Sequence, residues 1–174
     1  MNFNFFEELS SEDAKLYQQQ FLKETGKGFE SMIPEITDNK IIVDYSVDSL
    51  IPVLLWFKSK ISTIPEKEDK SLPRWLRKDE TYRKGLYSFD ESSKILVLRV
   101  SYYFGECFVR KYNTLKWNIG SNKTALQRMP VVTGFRMKKE LAPILVCENI
   151  MRSLIEGEKE KIVKIALDTW ESYI

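Results

Sequence analysis

Between Ser92 and Tyr112 apolar residues occupy nearly every face of a 3.6-residue period, and a single acid, Glu106, interrupts them. Such a pattern fits a helix enclosed on several sides. The β-branched start from Ile95 to Val100 also suits a strand, and a short apolar run alone does not decide between the two. Length favours a helix to about Tyr112, with Asp90 or Ser92 as its cap and Asn113 in the left-handed closing position. Leu115–Ile119 then alternates as a strand, with Leu115, Trp117 and Ile119 on one side.

Two residues in this run stand out. Gly105 sits in mid-helix, where glycine costs about 1 kcal/mol relative to alanine. Its expected return is close approach by another backbone, that of the strand carrying Trp117. Glu106 is flanked by Phe104, Cys107 and Phe108, and a buried carboxylate must find donors or take up a proton. It either pairs with Arg110, Arg99 or a tyrosine hydroxyl, or reaches solvent, or lies in a cleft that binds a ligand or partner. Tyr103, Glu106 and Trp117 are therefore candidate ligand- or partner-binding residues.

Composition narrows the function classes. A chain of 174 residues makes one domain comfortably, and 43% hydrophobic with 13% aromatic residues describes a packed protein. The net charge of +2 makes no general case for nucleic acid. It is unevenly spread: six basic against ten acidic residues over 1–65, seven against five over 66–84, fourteen against ten over 85–174. Histidine is absent, which removes the usual general base, the usual activator of Ser or Cys, and the commonest zinc ligand. Cys107 and Cys147 lie in apolar surroundings and read as buried free thiols, so no metal site and no cofactor are expected. The start, MNFNFFEELSSED, lacks the pattern of a signal peptide, and no apolar run reaches membrane-spanning length. A cytoplasmic protein is expected.

Along the chain, Phe3, Phe5 and Phe6 are expected to tie the N-terminus down. A helix starts at Ser10 or Ser11, with Glu12 and Asp13 in its first turn, and runs to about Thr25 before stopping at Gly26. Leu16, Tyr17, Phe21 and Leu22 face inward. Gly28–Asn39 reads as a loop and Lys40–Tyr45 as a strand. A helix capped within Ser46–Asp48, with Pro52 in its first turn, ends before Pro65.

Pro65–Gly85 mixes Trp75 and Tyr82 with Arg74, Arg77, Lys78, Arg83 and Lys84. It reads as a short helix anchored by Leu72, Trp75, Leu76 and Tyr82. The alternative is a stacking surface for single-stranded nucleic acid. Gly120–Arg128 is a turn that matches no phosphate-binding fingerprint. Met129–Phe135 is a strand, followed by the basic cluster Arg136, Lys138 and Lys139, either a solvated turn or an attractor of an acidic partner. Pro143 opens a helix to Ile155, closed by Gly157, and Glu158–Tyr173 is the last helix. Glu148 is a second acid beside apolar residues. It would form an acid–base pair with Glu106 if the two met.

Two pieces carry a resemblance: Asp44-Tyr45-Ser46-Val47-Asp48-Ser49-Leu50, and Tyr103-Phe104-Gly105-Glu106 followed by Trp117. Together they resemble a loose group of uncharacterised bacterial α+β domains with the patterns D-Y-S-x-x-S-L and Y-x-G-E before a Trp. Some of that group are immunity-like proteins that neutralise a toxin by binding it. The likeness spans Asp44 to Phe135 and implies no catalytic residues.

The fold expected is a single α+β domain over residues 1–174, with five or six helices on a small sheet of Lys40–Tyr45, Leu115–Ile119 and Met129–Phe135. Three functions stay open. The first is a non-catalytic protein-binding module with a toxin-like partner, its candidate residues being Tyr103, Glu106, Trp117 and Arg136. The second is a small-ligand or enzymatic pocket around Glu106. The third is weak nucleic-acid binding through 65–85.

Overall fold

The computed structural model describes residues 6, 8–67, 70–78, 86–121 and 126–174. It is an α+β protein built around one long helix. The helices are α1 (Ser11–Gln20), continued by a π-helical turn (Phe21–Thr25) into α2 (Gly26–Glu30), then α3 (Ile33–Asp38), α4 (Leu50–Lys60), the short α5 (Arg74–Arg77), α6 (Glu91–Lys111), α7 (Pro143–Ile155) and α8 (Lys161–Glu171). The strands pair as two antiparallel ladders, β1 (Thr63–Pro65) with β2 (Tyr87–Phe89) and β3 (Lys116–Ile119) with β4 (Pro130–Thr133).

Helix α6 is the enclosed helix its composition dictates. Asp90 caps it by accepting from the Ser93 N–H at 2.7 Å. Val97, Val100, Tyr103, Phe104, Cys107 and Phe108 are all fully buried. The closing residue is Tyr112 with φ −122°, in extended backbone, and Asn113 does not take the left-handed position expected of it. Helix α7 runs back along α6, with Pro143 against Gly105. Its bounds are those the sequence indicates, and Gly157 closes it with φ +100°. Both cysteines are buried and free.

The N-terminal helix does not stop at Gly26. Ser10 caps it as expected, accepting from the Asp13 N–H, and its buried residues run Ala14, Phe21, Gly26, Phe29. The step from Phe21 to Gly26 is five residues, which a π turn keeps on one face and an α turn does not. Gly26 serves close approach instead: a Cβ there would lie 2.8 Å from the Tyr102 ring of α6. Leu16 is exposed, against expectation, because it stands two residues from the buried Ala14, about 200° round the helix. Helices α2 and α3 occupy most of Gly28–Asn39, where a loop was expected; Pro34 sits in the first turn of α3, where its missing N–H is harmless.

Lys40–Tyr45 is not a strand. Ile41, Val43 and Tyr45 are half-buried while Ile42 and Asp44 are exposed, so the alternation reports an extended segment lying on the body. No ladder includes it, and Lys40 and Tyr45 both turn left-handed, with φ 61° and 60°. The expected three-stranded sheet is thus the β3–β4 pair alone, extended by a bridge from Val132 to Leu141. The β1–β2 pair was not foreseen, since each partner is only three residues long. Trp75 is 74% exposed and anchors nothing. Tyr82, the side chain of Leu76, Phe3, Phe5 and residues 122–125 lie outside what the structure describes. Phe6 is buried and meets Tyr17 edge-on at 5.1 Å.

Candidate functional site

The site grows from one turn of α6. Gly105 leaves a gap on that helix, and the Trp117 indole of β3 fills it: a Cβ at 105 would lie 2.2 Å from the ring. The expected close approach is made, but by an indole and not by backbone. From there the Trp117 Nε1–H donates to Glu106 Oε1 at 2.9 Å. One turn further along, Arg110 Nε donates to Glu106 Oε2 at 2.9 Å. Each carboxylate oxygen therefore has a donor, and the side chain is 15% exposed. The Arg110 guanidinium carbon stands 3.5 Å from the centre of the Tyr45 ring, a cation–π contact that also restrains the arginine.

Tyr103 points to the other side of the same loop. The Ser49 hydroxyl donates to the Ser46 carbonyl at 2.7 Å, so the 2.6 Å contact between Ser49 Oγ and Tyr103 must use the tyrosine's proton. Tyr103 Oη in turn accepts from the Tyr45 N–H at 3.2 Å. Its ring lies stacked on Phe29 at 4.4 Å and is fully buried. Burial raises the ionisation of Tyr103 far above neutral pH, and burial followed by the Glu106 charge pushes Tyr102 up to about 12. Both phenols stay protonated donors at neutral pH.

Asp44 closes the loop by accepting from the Ser46 N–H at 2.9 Å, an Asx turn that places Tyr45 at positive φ. Hydrogen bonds from Ser46 hold the Asp44 carboxyl below its usual range. The result is a wide, shallow depression of about 390 Å³ lined by Asp44, Tyr45, Ser46, Asp48, Arg110 and Lys111. Glu106 and Trp117 form its support and are not part of its lining.

Of the four candidate residues, the fold brings Tyr103, Glu106 and Trp117 to one place and leaves Arg136 elsewhere. Arg136 is exposed in a 3-10 turn (Arg136–Lys138), with its N–H donating to the Tyr173 carbonyl at 2.7 Å. Glu148 does not meet Glu106. It is buried at 5% exposure and bound by Arg152 at 3.1 and 3.2 Å, and Arg152 also donates to the Tyr87 carbonyl of β2. The two acids therefore form no acid–base pair. An arginine four residues on from an acid in an apolar helix was the readable sign.

Asp44, Tyr45, Asp48 and Lys111 escaped the reading as site residues, although three of them fall in the DYSVDSL stretch. Among the described residues no cluster of three or more Asp, Glu, Cys or His could hold a metal ion, and no helix is long and apolar enough to cross a membrane. Comparison with protein families, with curated proteins and with solved structures finds no match for this chain.

Proposed function

We propose that this chain is a non-catalytic protein-binding module of the immunity type, which recognises a toxin-like partner through the depression over Tyr45 and Arg110. The observation carrying this reading is the Arg110–Tyr45 stack, held from beneath by a Glu106 carboxylate whose two oxygens already have donors. Tyrosine and arginine dominate the energetics of protein interfaces, and fixing them before binding lowers the entropic cost of association. Asp44 and Asp48 stand beside Arg110 and Lys111 in the lining, so the partner surface that fits it carries charges of both signs. The resemblance of DYSVDSL and YFGE…W to immunity-like domains supports the same reading. The alternative enzymatic pocket around Glu106 is less favoured, because the carboxylate is engaged below the depression and does not line it.

The test is calorimetric titration of the purified chain with the protein encoded beside it. Asp48→Lys and Tyr45→Ala are expected to weaken binding by about tenfold or more, and Glu106→Gln, which takes one acceptor from the support of Arg110, weakens it to a smaller extent. Absence of binding by any neighbouring gene product, or wild-type affinity in both surface variants, would overturn the reading.

A second reading rests on Trp75, which is 74% exposed beside the helix partners Arg74 and Arg77. A solvated indole among cations suits base stacking. Binding of a single-stranded oligonucleotide that falls steeply with salt and is lost in Trp75→Ala would favour it.

A further inference from the structure

The groove between α7 and α8 lies apart from the depression over Arg110. It encloses about 230 Å³ and is mostly apolar, with Val146 and Ile150 contributed by α7 and Ile162, Ile165, Ala166 and Trp170 by α8. Along α8, Ile162, Ile165, Ala166 and Thr169 follow the i, i+3, i+4, i+7 spacing of a stripe that packs on another helix. A second stripe, Val163 and Leu167, already faces the core and is buried. Ile162, Ala166 and Trp170 are partly buried against the same core, and Ile165, 53% exposed, is the apolar residue of the stripe that the core does not use.

We infer that this face pairs with the same face of a second copy, α8 against α8 in antiparallel fashion about a two-fold axis. The reason for a second copy lies in the edge of the stripe. Lys161 and Asp168 are both exposed and stand seven residues apart, about 10 Å along the same side of the helix. A two-fold axis passing between them places Lys161 of one copy opposite Asp168 of the other, twice over. The same axis passes beside Ile165, so the most exposed isoleucine of each copy meets its counterpart and sits over the α7–α8 groove. An isologous interface of this kind needs one patch that complements itself in both shape and charge. Here an apolar ridge beside an apolar groove, flanked by one positive and one negative residue, meets both needs.

Sedimentation equilibrium of the full chain tests the inference. A dimer is expected at protein concentrations up to about 100 μM, the range that populates a micromolar complex. Ile165→Arg is expected to give a monomer with unchanged circular dichroism, since the side chain lies outside the core. Lys161→Glu and Asp168→Lys each place like charges together twice, and each is expected to weaken the dimer by about tenfold. The double variant restores opposite pairs and is expected to recover the wild-type constant. That rescue distinguishes the two-fold pairing from general surface disturbance. A chain that stays monomeric over the whole range overturns the inference, including the case where the groove takes the helix of a different protein. So does a dimer indifferent to Ile165→Arg, or a charge swap that fails to restore it.

Discussion

At Glu106 an acid is kept among phenylalanines because both its oxygens find donors, one from an indole and one from a guanidinium. The indole reaches it only because residue 105 has no side chain. Gly105→Ala is accordingly expected to cost about 3 kcal/mol, as overpacking against Trp117, and to lower the urea midpoint without changing its slope. Trp117→Phe removes the donor to Glu106 Oε1 and is expected to cost about 2 kcal/mol, read in the same titration. The cysteines give a second test at this scale. Burial raises both thiols, Cys147 to about 12 and Cys107 further. Neither is nucleophilic at neutral pH, so both are expected to react with an aromatic disulfide only at the rate of unfolding. A fast phase of thiol release in the native protein would contradict their burial.

At the scale of elements, the ends of α6 and α8 are tied by charge. Lys111 donates to Glu171 at 2.7 Å, and the Tyr112 hydroxyl donates to the same carboxylate oxygen. The Lys111 contact, then that of Tyr112, hold the Glu171 carboxyl below its usual range. The folded state thus gains stability from ionised Glu171 above its unfolded pKa, and loses it as pH falls through the depressed folded value. Lys111 is raised by the same contact, so its share is present at neutral pH and is lost only as pH rises through the folded lysine value. Glu171→Gln is expected to flatten the acid side of the stability profile below the unfolded glutamate pKa, measured as urea midpoints. A parallel curve for variant and wild type would show that the tie carries nothing. Helix capping is tested at α1, where Ser10→Ala removes the acceptor for Asp13 N–H and is expected to cost about 1 kcal/mol.

For the whole molecule, the uneven charge of the sequence does not become a polar molecule with two ends. Arg99 and Arg110 of the basic half lie on Gly28, Met32 and Tyr45 of the acidic third. The core is likewise shared: Phe29 and Phe57 stack with each other at 6.1 Å, and Phe29 stacks on Tyr103 at 4.4 Å. Residues from Phe6 to Leu167 belong to one buried cluster. Fragments 1–67 and 86–174 are therefore expected to remain unfolded when expressed alone, with helical circular dichroism recovered on mixing if the pieces associate. A separately folded fragment with a cooperative thermal transition would count against one shared core.

The sequence by itself determined what neighbours within a turn decide. It placed α6 and α7, the caps at Ser10 and Asp90, the alternation of β3, the buried thiols and the α+β class. Each follows from a local period or a side chain meeting the nearest free N–H. It also drew Tyr103, Glu106 and Trp117 together as candidates, because an acid and a glycine in an apolar helix both require an explanation. Only the tertiary structure decided which partners arrive from far along the chain. Lys40–Tyr45 has the alternation of a strand, but a strand exists only where another edge offers its N–H and C=O groups. Gly26 looks like a helix stop until the Tyr102 ring lies against it and the chain turns through a π segment. Glu148 looks like a surface acid until Arg152 folds over it beneath β2. Tyr45 and Arg110 are sixty-five residues apart, and their stack depends on the left-handed turn at Tyr45, which no period in the sequence announces.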